Sequence, residues 1–136
     1  MKDTKDVAVE FVLDYEKKQG RIARDVQSDQ KCKGYDVLSH SNEGKIARTI
    51  EVKGTRSGNI PDFYATEIEN GKLVASHLYV VSVKENSDEI DRFFIIERSE
   101  IRPEDFSKEK PRYRIKFRKL DSGNIDKYEM KRSNFI

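Results

Sequence analysis

A chain of 136 residues that is 38% charged and 35% hydrophobic has room for one domain, 1–136, with a real core, and its apolar residues fall in runs, which argues against disorder. No run approaches the roughly 20 apolar residues that span a bilayer, Met1-Lys2-Asp3-Thr4 lacks the apolar stretch of a signal peptide, and the single Cys32 excludes an internal disulfide. No membrane partner is therefore expected, and the cytoplasm is the expected location. The net charge of +2 points to no partner, but Lys108–Arg132 holds ten basic and four acidic residues, so this segment is the electrostatic candidate for a polyanion.

Asp6 to Gln19 is expected to be a helix. Ala8, Phe11, Val12 and Tyr15 recur at helical spacing, and Gly20 is a natural stop. Arg21 to Gly34 is polar and is expected to be irregular. Gly34-Tyr35-Asp36-Val37-Leu38 and Ile46 to Lys53 form a predicted hairpin around Asn42-Glu43-Gly44. In its second strand, Ile50 and Val52 alternate with Glu51 and Lys53, which places those two polar side chains on one face of a sheet.

Ser57-Gly58-Asn59 is a loop signature, Phe63 to Thr66 a predicted short strand, and Glu67 to Ser76 a predicted helix weakened by Asn70-Gly71. Leu78 to Val83 is a continuous apolar, β-branched run, the pattern of a strand covered on both faces. Phe93 to Ile96 is another such run. Pro103 and Pro111 bracket an expected linker. Tyr113, Ile115 and Phe117 then alternate with Arg112, Arg114, Lys116 and Arg118, giving one apolar and one cationic face. A last strand is expected around Lys127 to Lys131. Tyr64 and Tyr79 are expected in the core.

Two carboxylates on adjacent strands, Asp36 and Glu51, make a hard-oxygen site. Mg2+ takes few protein carboxylates and accepts phosphate oxygens in its open positions. Lys53 beside them can stabilise charge on a phosphate transition state or serve as counter-ion. Without a cation, crowded carboxylates repel, and one of them retains its proton. Glu-Val-Lys in a strand is also common as a plain salt-bridged face. His40 and His77 lie far apart with no ligand neighbours, so no zinc site is expected. Cys32 sits between Lys31 and Lys33, without a His nearby in sequence.

Gly34-Tyr35-Asp36-Val37 followed across a hairpin by Ile50-Glu51-Val52-Lys53-Gly54-Thr55 resembles the PD-(D/E)xK motif of restriction-endonuclease-like nucleases. More closely, Val7 to Val83 resembles the domain named after the C-terminal region of the plant protein NO VEIN. That family shows GYD and IEVKG elements and a later Thr-x-x-Glu-like helix, which Thr66-Glu67 matches loosely. No Pro precedes Asp36. The resemblance implies an α/β, restriction-endonuclease-like fold with a mixed central sheet flanked by helices. It implies Asp36 and Glu51 as metal ligands and Lys53 as the motif lysine. Glu10 would be the acid of the first helix, with Glu16 the weaker choice.

The expected function is a Mg2+-dependent endonuclease cleaving phosphodiester bonds in DNA, in restriction, defence or repair, with Mn2+ as a substitute ion. The alternative is an inactive nuclease-fold module that binds DNA or protein. Arg112, Arg114, Lys116 and Arg118 are expected to follow a phosphate backbone if the strand contacts DNA at all. With no separate recognition domain in sight, a homodimer or a partner subunit is expected to supply specificity.

Overall fold

The computed structural model describes residues 1–136. It opens with helix α1 (Thr4–Lys18), followed by strands β1 (Ile22–Asp25), β2 (Val37–His40) and β3 (Ile46–Thr55). Short strands β4 (Phe63–Tyr64), β5 (Ile68–Glu69) and β6 (Lys72–Leu73) lead to the long strands β7 (His77–Val83) and β8 (Ile90–Glu97). Strands β9 (Phe106–Glu109) and β10 (Arg112–Ile115) come last, before a tail of 3-10 turns.

The main sheet has the order β1-β2-β3-β7-β8. The β1, β2 and β3 meander is antiparallel, β7 lies parallel to β3, and β8 returns antiparallel to β7, so the sheet is mixed. The fold is α/β with a mixed central sheet and one α-helix.

Period-2 alternation sorts β3 and β7 into two cores. Ile50, Val52, Tyr79 and Val81 face α1, where Ala8, Val12 and Tyr15 meet them. Leu78 and Val80 face the other way, into a second core with Ile60, Phe63, Phe94 and Ile115. That second face is covered by the three-stranded sheet β4-β10-β9 and the β5-β6 hairpin. The structure thus corrects the expectation of flanking helices. A helix covers one face, and strands cover the other.

Four further expectations are corrected. The helix expected over Glu67 to Ser76 is a 3-10 turn at Ala65–Glu67 followed by the β5-β6 hairpin. Asn70 and Gly71 both hold positive φ, 53° and 75°, which suits a tight hairpin turn and breaks a helix. The segment after Gly20 is partly a strand, β1, and the linker between the prolines contains β9. Lys127 to Lys131 forms no strand. Asp126–Tyr128 is a 3-10 turn, and only an isolated bridge joins Glu129 to Phe94. No helix is long and apolar enough to cross a membrane.

Gly54 sets how close α1 comes to β3. A Cβ there would lie 2.8 Å from the Ala8 Cβ and 3.0 Å from the Thr4 carbonyl oxygen. Only glycine lets the first turn of α1 rest on the end of β3 in this way. That close approach carries Lys5 to the sheet.

Candidate acid–lysine site

Asp36 stands just before β2 and brackets Glu51 on β3. Its backbone N–H donates to the Ile50 carbonyl at 2.9 Å, and its Oδ2 accepts from the Val52 N–H at 2.9 Å. Because Val37 pairs with Ile50, the register carried one residue further sets Asp36 across from Glu51. Glu51 and Lys53 share one face of β3, beside Leu78 and Val80 of β7. The strand pattern therefore brings Asp36, Glu51 and Lys53 together.

Glu51 is fully buried, and neither of its side-chain oxygens meets a donor. The Asp36 carboxylate set across from it is itself an acceptor. A proton on Glu51 resolves the clash by donating to Asp36. Burial, then that hydrogen bond and the charges of Asp36 and Glu67, push Glu51 well above the usual carboxylate range, and the charge of Lys53 only partly offsets them. For Asp36, burial acts upward as well. It is outweighed by the hydrogen bond from Glu51, the charge and hydrogen bond of Lys5 and the Val52 amide, so Asp36 ends below its ordinary value. The pair is thus split, with the proton favoured on Glu51 and disfavoured on Asp36.

Lys53 is almost entirely buried. Its Nζ donates to Glu67 Oε1 and to the Asp62 carbonyl, both at 3.0 Å, and lies 4.5 Å from the centre of the Phe63 ring. One of the three ammonium protons remains for another acceptor. Glu67 Oε1 also accepts from the Tyr64 N–H at 2.8 Å. Glu67 reaches this position because Gly34 permits a tight crossing. A Cβ on Gly34 would lie 2.8 Å from the Thr66 carbonyl oxygen.

The helix contributes a lysine to the site instead of an acid. Lys5 Nζ donates to Asp36 Oδ2 at 2.7 Å and to the Val52 carbonyl at 2.5 Å. Glu10 is not brought to the site. Its exposed carboxylate accepts from Lys2 at 3.0 Å. Glu16, the weaker choice, is buried elsewhere, accepting from Arg21 Nε and Nη2 and from the Tyr79 hydroxyl. Lys5 and Glu10 are five residues apart, about 140° around the helix, so the face that presents one hides the other. No three His, Cys, Asp or Glu side chains converge at metal-binding spacing. Asp36 and Glu51 remain as a pair.

Two clefts open beside this cluster. One, of about 370 Å3, is bordered by Asp36 and Glu67 and walled by the loop Gln27 to Tyr35. The other, of about 570 Å3, is walled by Gly54, Thr55 and Asn59 to Asp62, with Arg112, Arg114 and Arg118 on its far side. Three of the four residues of the cationic stripe meet there, and Lys116 does not. Arg114 is held by Asp62 through two hydrogen bonds of 3.0 and 3.2 Å. Arg56 also lines the cleft, but it is spent on Thr4, Asp88 and the carbonyls of Lys2, Lys84 and Ser87.

The sequence model of the family described as "Protein NO VEIN, C-terminal" matches residues 4–96. The chain belongs to this family. The NO VEIN C-terminal match runs from the first turn of α1 into β8 and takes in Lys5, Asp36, Glu51, Lys53 and Glu67. Arg112, Arg114 and Arg118 lie beyond it. No curated protein and no solved structure matches the chain.

Lys5 and Glu67 are the members of the cluster that sequence reasoning missed. Glu67 carried a faint signal in Thr66-Glu67. Lys5 carried one only in its position in the first helical turn, five residues before Glu10.

Proposed function

We propose that the chain is a Mg2+-dependent endonuclease of restriction-endonuclease-like type that hydrolyses phosphodiester bonds in DNA, with Mn2+ able to substitute. The observation that carries this reading is Glu51, buried with two orphaned oxygens across from Asp36 and beside a lysine on its own strand. A buried carboxyl without donors is costly unless a proton or a cation settles it. Asp36 and Glu51 fit a divalent cation that takes one or two carboxylates and otherwise keeps water or phosphate oxygens. Such an ion would polarise the phosphodiester and lower the pKa of a bound water.

The remaining work falls to residues of the chain. Lys53, fixed by Glu67 and the Asp62 carbonyl, keeps one proton free to donate to a phosphate oxygen or to orient a water. Arg112 and Arg118, in the adjoining cleft, attract and align the phosphate backbone. A restriction, defence or repair role fits this chemistry equally.

A second reading, a catalytically silent nuclease-fold module that binds DNA or protein, draws on the lysines. Lys5 and Lys53 already give Asp36 and Glu67 their counter-ions. Incubating plasmid and oligonucleotide DNA with Mg2+ or Mn2+, for the wild type, Asp36→Asn and Lys53→Ala, separates the two. The nuclease reading expects metal-dependent cleavage by the wild type alone. Cleavage that is absent in every case, or equal in all three proteins, overturns it.

A further inference from the structure

Tyr64 is 54% exposed, whereas every other Phe and Tyr of the chain is buried or half-buried. Its position follows from β4, a strand of only two residues. Phe63 enters the second core, so Tyr64 must point outward. The core expectation for Tyr64 therefore fails, and a large aromatic face is left in water beside the candidate site.

Its surroundings are specific. The Tyr64 N–H is anchored on Glu67, the residue that holds Lys53, and the Lys53 Nζ lies 5.9 Å from the ring centre. Across the β4-β10 pair, Arg112 is the strand partner of Tyr64, and its guanidinium carbon lies 4.8 Å from the ring centre. Arg112 also lines the cationic cleft with Arg118. An aromatic ring overlaid by a guanidinium, at the edge of a cationic groove, offers stacking surface together with backbone attraction.

We infer that Tyr64 and Arg112 form a stacking platform for an unpaired nucleotide, so that the strand entering the site is single-stranded at that point. Bases inside a duplex have both faces covered by their neighbours. Only an unpaired, unstacked base can lie on a side chain of this kind. A site that merely tracked duplex phosphates would need the arginines and not the ring. The inference rests on the reading of the neighbouring site as one that acts on nucleic acid, and it names the form of that substrate.

The test is binding measured by fluorescence anisotropy in EDTA, at one fixed salt concentration. The probes are a labelled mixed-sequence single strand and the duplex of the same sequence. No metal is present and no bond is cut, so the result is independent of whether Asp36 and Glu51 support turnover. Tyr64→Ala is expected to weaken single-strand binding by about 5- to 150-fold, the range for removing one base–aromatic stack. Duplex binding should change by less than about twofold, and Tyr64→Trp should retain single-strand binding. Melting curves of both variants, expected to match the wild type because the side chain is exposed, exclude misfolding. The inference is overturned if the wild type does not bind the single strand. It is equally overturned if Tyr64→Ala binds it as well as the wild type, or if both probes lose affinity equally.

Discussion

The ammonium of Lys5 lies 2.7 Å from Asp36 Oδ2, joining the first turn of the helix to the acid just before β2. The same Nζ also holds the Val52 carbonyl, so one lysine ties α1, β2 and β3 together at the candidate site. Lys5→Met should destabilise the protein by about 1.5–3 kcal/mol, the usual worth of hydrogen bonds to a charged group. Chemical denaturation of the two proteins measures it. An unchanged midpoint would mean that the pair contributes nothing to the fold.

The split between Glu51 and Asp36 has a pH signature. Glu51 is raised in the folded protein, so its proton favours folding fully below the ordinary carboxylate range. That contribution is lost as pH climbs through the raised value. Glu51→Gln cannot ionise and escapes the loss, and its amide can still donate to Asp36. In EDTA the variant should melt above the wild type at neutral and alkaline pH, with the gap closing toward about pH 4. Asp36, being lowered, acts in the opposite sense. Its contribution is present above the ordinary value and fades as pH falls through the depressed one. That acid limb should persist in Glu51→Gln. A gap that widens on acidification would refute the assignment.

If the two acids hold a divalent ion only in the folded state, Mg2+ at 100 times its Kd should stabilise the wild type by about 2.7 kcal/mol. Asp36→Asn should abolish the rise in melting temperature. A rise of equal size in the variant would place the ion elsewhere.

How far the sequence reached depended on whether a feature was local. Glu51 and Lys53 share a face because alternation within one strand demands it, and the hairpin to Asp36 announced itself through Asn42-Glu43-Gly44. The runs that became β7 and β8 were equally plain. Glu67 and Lys5 reach the site only through tertiary packing, across Gly34 and Gly54, and no periodicity reports such crossings. The resemblance implies Glu10 as the helix acid, but the buried side of α1 is set by Ala8, Val12 and Tyr15, and Glu10 lies outside it. The helix expected at Glu67 to Ser76 gave way to the positive-φ pair Asn70 and Gly71.

Gly54 offers a direct check of the close approach that delivers Lys5. Gly54→Ala would thrust its Cβ to 2.8 Å from the Ala8 Cβ, and both neighbours belong to packed backbone elements with little room to yield. A cost of about 1–3 kcal/mol is expected, as for overpacking elsewhere. Because the strain pushes the first turn of α1 away from β3, amide exchange should rise at the start of the helix more than in β7. Uniform loss of protection would point to global destabilisation instead.

The cationic cleft separates residues that the sequence grouped as one stripe. Arg112 and Arg118 line it, Arg114 is neutralised by Asp62, and Lys116 is not part of its wall. A phosphate lying in the cleft should therefore be felt by the first two and not by Lys116. Removing one side chain that neutralises a phosphate flattens the log–log salt dependence of binding by about 0.7 on single strands and about 0.9 on duplex DNA. Arg112→Ala combined with Arg118→Ala should flatten it by about 1.4 or about 1.8 respectively, and by similar amounts on unrelated sequences. Lys116→Ala should leave the slope unchanged. Arg114→Ala should weaken binding beyond its own charge, because it releases the Asp62 carboxylate into the cleft. Binding measured at several salt concentrations decides the matter. A slope that falls in Lys116→Ala but not in the Arg112 and Arg118 pair would move the phosphate path off the cleft and onto the exposed outer surface of the turn after β10. The site at Asp36, Glu51 and Lys53 would be left without the arginines as its guide.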